Sequence, residues 1–211
     1  GIDNGNNFKK LFNIILKIKT KKETMNFSEL YKFTKKNLTI TTTCINSLET
    51  VYFNHINTPD CSVVDAILMS ISIPFLFTPF KYENKLYLDG GLTNNYPIDY
   101  FKDSIDNTLG ILVHTPINKC YDINNIEEYI SSILFCAEYK LIRNSYNQYK
   151  ENTILIEKNM NFIDFDISND EKNSLIDLGY EKSLKHVESE QFQKYFKLEP
   201  NKLEPNKLEP N

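Results

Sequence analysis

The chain has 211 residues, 41% of them apolar and 25% charged, enough for a domain that buries roughly 70% of the surface its unfolded form would expose. That balance excludes collagen-like, wholly disordered and disulfide-scaffold chains. Lysine and arginine total 24 against 28 aspartate and glutamate, a formal charge of −4, so nothing draws the whole molecule to a phosphate backbone and no nucleic-acid partner is expected.

No apolar run approaches the roughly 18 to 20 residues of a membrane span; Leu11 to Ile18 is short and broken by Asn13 and Lys17. Gly1 stands where a methionine would, without a signal-peptide pattern after it, and the chain reads as a piece cut from a longer protein. Cys44, Cys61, Cys120 and Cys136 form no C-x-x-C pair, and His55, His114 and His186 add no ligand spacing. Four reduced, mostly buried thiols in a cytoplasmic protein are therefore expected in preference to a metal site, and no metal or cofactor is expected.

Phe8, Leu11, Phe12 and Ile15 recur at the i, i+3, i+4, i+7 spacing of an amphipathic helix, which should bury one stripe. Asn26, followed three positions later by Glu29, opens a second helix. Leu38 to Ile45 and Thr50 to Phe53, rich in β-branched and aromatic residues, read as two strands joined by a short turn. Ser62 and Asp65 cap a third helix, apolar almost all round, that Pro74 ends. Lys85 to Leu88 is a strand running into Asp89-Gly90-Gly91. Further on, Leu109 to His114 and Thr153 to Ile156 are strands, Asn125 to Gln148 is a long helix, and a last helix runs from Asp170 to about Ser189 with its cap at Ser168 or Asp170. Strands separated by helices predict an α/β fold with a mostly parallel sheet. The boundary falls near residue 190: 1–190 form the folded part, and 191–211, ending in three Lys-Leu-Glu-Pro-Asn repeats, form a low-complexity, extended and disordered tail, with a spacer or docking segment as the alternative.

Asp89-Gly90-Gly91 carries the most chemistry. A carboxylate at the end of an apolar strand, followed by two residues without side chains, is either a turn residue of a hairpin or a base presented where the backbone turns sharply. Both readings stand on these three residues alone.

The surrounding text resembles the second half of the patatin-like phospholipase domain. Ala66 to Pro79 closely resembles its A-x-x-A-S-x-x-x-P-x-x-F-x-P stretch, and Tyr87 to Pro97 matches Y-x-D-G-G/A-x-x-x-N-x-P through Asp89, Gly90, Gly91, Asn95 and Pro97. Gly1 to Gly5, Phe27 to Tyr31, Thr58 to Asp60, Phe165 to Ser168 and Leu178 to Tyr180 extend the likeness over most of residues 1–187. The resemblance implies a patatin-like three-layer α/β/α domain lacking its N-terminal part, and a serine hydrolase acting on phospholipid or other lipid esters at a membrane or micelle surface, with Asp89 as the proton acceptor of a Ser-Asp dyad. It implies small residues at Gly90 and Gly91 because a Cβ there would crowd the nucleophile loop, and it implies no metal.

The family's nucleophile lies in G-x-S-x-G, and no serine here has glycine on both sides two residues away. Ser70 and Ser72 fall where the family serine is structural. The expectation is that nucleophile and oxyanion loop precede Gly1, that the isolated chain is inactive, and that the remaining sheet shows an unpaired apolar edge. The alternative is a non-catalytic half-domain that binds lipid or a protein partner. Phe75, Phe77, Phe80 and Tyr82 read as core before an acyl-chain channel. Lys9, Lys10, Lys17, Lys19, Lys21 and Lys22 read as a solvated face before a lipid contact, and His114 as a packed residue.

Overall fold

A computed structural model describes residues 3–114, 123–158 and 167–195. Contacts divide the chain into two compact units, one of residues 1–97 and 124–143, the other of 98–123 and 144–211. The repeat tail lies outside the described residues.

The first unit opens with α1 (Asn6–Thr20) and α2 (Phe27–Thr34). A complete capping box starts α2: Asn26 Oδ1 accepts from Glu29 N at 2.8 Å, and Asn26 N donates to Glu29 Oε2 at 3.1 Å, satisfying two of the free amides of the first turn. β1 (Ile40–Cys44) and β2 (Glu49–Phe53) follow, then α3 (Val63–Ser70), capped by Ser62, and β3 (Phe80–Tyr82), β4 (Lys85–Asp89) and the short α4 (Gly91–Asn94). The sheet order is β2-β1-β4-β3, every pair antiparallel.

The expected mostly parallel sheet is therefore corrected here. β1 and β2 are joined by a tight turn, and β3 turns into β4 through Glu83 and Asn84, both at positive φ (47° and 61°). Two central residues with positive φ make the turn whose twist suits an antiparallel hairpin. Connections this short cannot carry a parallel crossover.

One face of this sheet carries the core: Cys44, Phe53 and Tyr87 meet Phe27 of α2 and Ala66 and Met69 of α3. Phe53 packs edge-on against Tyr82 and Tyr87. The other face receives α4, tied down by a chain of hydroxyls in which Thr93 Oγ1 lies 2.9 Å from Thr43 Oγ1 and 2.8 Å from Thr50 Oγ1. α1 departs from expectation. It forms over the predicted residues and touches α3, yet none of its residues is buried.

A kinked stretch of 3₁₀ turns (Pro97–Asn107) lies in the second unit from Ile98 on, which also holds β5 (Gly110–His114) and β6 (Thr153–Glu157), paired in parallel. Long helix α5 (Ile126–Tyr149) connects them and contributes its first part to the other unit. Parallel pairing is thus confined to β5 and β6 among the described residues, where a helix makes the crossover possible. Asn152, buried, donates to the carbonyls of Ile105 and Thr108 at 2.8 and 3.2 Å. α6 (Asn169–Val187) is capped by Ser168 with Glu171, and α7 (Glu190–Tyr195) ends the described chain. Ile111 and Val113 on β5 are exposed.

Among the described residues no helix is long and apolar enough to cross a membrane, and no group of three or more His, Cys, Asp and Glu could hold a metal ion. Cys44 and Cys61 are buried free thiols. Cys136 is exposed, and Cys120 lies outside the described residues.

Candidate active site

Asp89 is the last residue of β4, and three backbone contacts hold it. It pairs with Thr42 across the ladder, its N–H donates to the carbonyl of Ser72 at 3.0 Å, and its carbonyl accepts from Thr43 Oγ1 at 2.8 Å. The side chain is only partly exposed. Oδ1 accepts from Gly91 N at 2.7 Å, while Oδ2 makes no hydrogen bond among the described residues. Burial pushes the carboxyl above its ordinary pKa, and the Gly91 amide, which favours the charged form, pulls part of that back. The result is a fixed carboxylate with one oxygen engaged and the other available, more basic than an aspartate in water.

The chain must leave β4 very close to β1. A Cβ on Gly90 would stand 2.4 Å from the carbonyl oxygen of Thr41, inside any real contact. Gly90 has ordinary right-handed dihedrals (φ −63°), so glycine is required here for space rather than for conformation. This differs from the reading in which a Cβ crowds the nucleophile loop, since the obstacle is the backbone of β1. A Cβ on Gly91 would meet softer neighbours, Asp89 Oδ1 at 3.0 Å and Asn95 Oδ1 at 3.1 Å.

A recess of about 320 Å³ opens at this turn. Its walls include all five residues singled out from sequence (Asp89, Gly90, Gly91, Asn95 and Pro97), together with Thr39, Thr41 and Ser70, which sequence reasoning did not place there. A second depression, beside Gly5 and Phe77, has room for about 10 Å³, close to one water molecule. Ser72 is structural: it is buried, and its Oγ donates to the Leu68 carbonyl at 2.6 Å.

Glu138, on the part of α5 belonging to this unit, was missed entirely. Its carboxylate accepts a hydrogen bond from Asn95 Nδ2. Burial, with the charge of Asp89 adding to it, pushes Glu138 up to about 6, against the opposing pull of Asn95. Glu138 does not line the recess itself, but Asn95, which does, joins it to the Asp89 turn. No motif spacing links residues 89 and 138, so only tertiary structure could reveal the pair.

The remaining candidates separate. Phe80 and Tyr82 pack against the core, Phe77 meets Phe8 edge-on, and Phe75 is exposed; none of the four lines the recess. His114, in the second unit, sits opposite Glu157 in the parallel ladder, and burial lowers its pKa.

Comparison with known proteins agrees with the sequence resemblance. The patatin-like phospholipase family model matches residues 1–102. "Uncharacterized protein R571" of Acanthamoeba polyphaga mimivirus is 32% identical over 195 residues, spanning 88% of this chain and 64% of that protein. "Probable lipid hydrolase 463L" of Invertebrate iridescent virus 6 is 31% identical over 99 residues, 47% of this chain and 34% of the relative. The crystal structure of VipD from Legionella pneumophila superposes with a TM-score of 0.56 at 15% identity, covering 79% of this chain and 35% of that one. The chain therefore spans about two thirds or less of these proteins. At this identity the VipD likeness speaks for the fold alone, which is patatin-like and mixed α/β.

Proposed function

We propose, from the premise that residues 1–102 belong to the patatin-like phospholipase family of lipid hydrolases, that Asp89 is the general base of a Ser-Asp dyad in the intact protein and that the substrate is a lipid ester. The carrying observation is the carboxylate at the recess, held through Oδ1 by the Gly91 amide at 2.7 Å and raised in pKa by burial.

No serine of these 211 residues lies in a G-x-S-x-G, and the attacking serine of this reading is one the intact protein would have to supply. Its oxygen attacks the ester carbonyl as Asp89 takes the hydroxyl proton. The tetrahedral adduct then expels the alcohol, which leaves with that proton, and the acyl group stays on serine. In the second half, Asp89 removes a proton from water attacking the acyl-enzyme and returns it to serine as the fatty acid departs. An aspartate in water, near 3.9, is a weak base toward a hydroxyl. Desolvation raises its basicity, and the pinned backbone supplies the orientation that makes a weak base effective. The recess lies at the lower end of volumes that hold small ligands, suited to the ester linkage and its near atoms.

The test is Asp89→Asn in the intact protein with a short-chain, water-soluble ester. Loss of a general base predicts a fall in kcat of about 10²- to 10⁴-fold with an unchanged far-ultraviolet circular dichroism spectrum. Wild-type turnover in the variant removes Asp89 from the mechanism.

A further inference from the structure

α1 is seated on the first unit by one face only. Phe8 meets Phe77 with ring centroids 5.9 Å apart, and Lys9 Nζ reaches Asp65 Oδ1 at 2.8 Å. The face next to this contact, further round the helix, is apolar and open: Leu11, Ile14, Ile15 and Ile18 are 48, 56, 45 and 63% exposed. At 100° per residue they fall within an arc of about 100°. Lys10 and Lys17 border that arc on one side and Lys19 on the other. Lys17 pairs with exposed Glu23, whereas Lys10 and Lys19 form no ion pair among the described residues.

The charge here runs against the rest of the chain. From Gly5 to Lys22 there are six lysines and no carboxylate, in a protein whose formal charge is −4. An apolar stripe with cationic borders on a short helix matches the boundary between headgroups and acyl chains, where the isoleucines enter the hydrocarbon margin and the lysine ammonium groups stay at the phosphates. A second copy of the chain is a poor occupant, because two such faces would bring lysines against lysines.

We infer that α1 is a membrane-docking helix that lays Leu11, Ile14, Ile15 and Ile18 into the surface of an anionic phospholipid bilayer. The inference extends the lipid-ester reading to the surface that presents the substrate, but it requires no turnover. Each lysine near an anionic leaflet contributes about fivefold in partitioning, and each isoleucine entering the interface about tenfold.

The experiment is co-sedimentation of the intact protein with vesicles of phosphatidylcholine alone and of phosphatidylcholine mixed with phosphatidylglycerol. Binding is expected to the mixed vesicles only and to weaken as salt screens the lysines. Lys10→Gln with Lys19→Gln should reduce it about 25-fold, and Ile14→Ser with Ile18→Ser about 100-fold. These four residues are exposed, so circular dichroism should remain unchanged. No binding to either vesicle type, unaltered binding of the serine variant, or dimerisation that the serine variant abolishes in place of vesicle binding would each overturn the inference. Asp89→Asn should bind like wild type. Vesicle binding by a wild-type protein that hydrolyses no ester would sink the dyad and leave the docking helix standing.

Discussion

Gly90→Ala tests the geometry of the Asp89 turn most directly. The added carbon would lie 2.4 Å from the Thr41 carbonyl oxygen and 2.7 Å from its carbon, where ordinary contact begins near 3.4 Å. Relief needs a displacement of about 1 Å, and Thr41 has little freedom to give it. It pairs with Tyr52 in the β1–β2 ladder, and its neighbour Thr42 pairs with both Val51 and Asp89. Overpacking costs about 1–3 kcal/mol, and a backbone obstacle puts this case at the upper end. The substitution regains roughly 0.5–1 kcal/mol because alanine has fewer unfolded conformations than glycine, leaving a net loss of about 2 kcal/mol. For a chain of this length that lowers Tm by about 4–8 °C, read by far-ultraviolet circular dichroism on heating. A variant melting at or above the wild-type temperature would show that β4 does not leave the sheet against Thr41, and the proposed seat of Asp89 would fall with it.

Gly91→Ala should behave oppositely, melting within about 2 °C of wild type because its new contacts are side-chain oxygens that can shift, yet lowering ester hydrolysis by the intact protein at least tenfold by displacing Asp89 Oδ1. Glu138 is raised from 4.5 to about 6, so the folded state holds its proton more tightly than the unfolded one, and this residue's contribution to stability falls as pH rises between those values. Glu138→Gln should flatten that part of the stability–pH curve and, after allowance for solvent screening, stabilise the protein by about 1 kcal/mol at pH 7 in urea titrations; an unchanged slope would contradict it. Asp89→Asn removes the charge that adds to burial at Glu138, so the Glu138 midpoint followed by carbon-13 NMR should drop below 6 while staying above the ordinary carboxylate value. Asn26→Ala removes the α2 cap and should cost about 1 kcal/mol, measured by the same urea titration.

Much of the fold was legible wherever a local rule had no strong competitor. The caps at Asn26, Ser62 and Ser168 start their helices because the partner amide lies three residues along the chain. α5 was placed within one residue at each end, since helical periodicity needs no distant partner. The direction of the main sheet was misjudged because strand-helix alternation is shared by parallel and antiparallel arrangements, and the deciding turn at Glu83-Asn84 lacks the glycine that usually announces it. Of the α1 stripe Phe8, Leu11, Phe12 and Ile15, the two phenylalanines are half-buried while Leu11 and Ile15 are exposed, because periodicity reports a face without reporting what covers it. Thr93 likewise carries no sequence signal for its bonds to Thr43 and Thr50.

The candidate site divides along the same line. Asp89, Gly90, Gly91, Asn95 and Pro97 lie within nine consecutive positions, so the order of residues along the chain determined that a carboxylate and its flanking glycines would occupy one turn. That the turn presses on the Thr41 carbonyl, that burial makes the carboxylate more basic, and that Glu138 arrives from a position more than forty residues along the chain were decided by tertiary structure alone, because closeness of approach and loss of water depend on segments folded against the turn rather than on its neighbours in the chain.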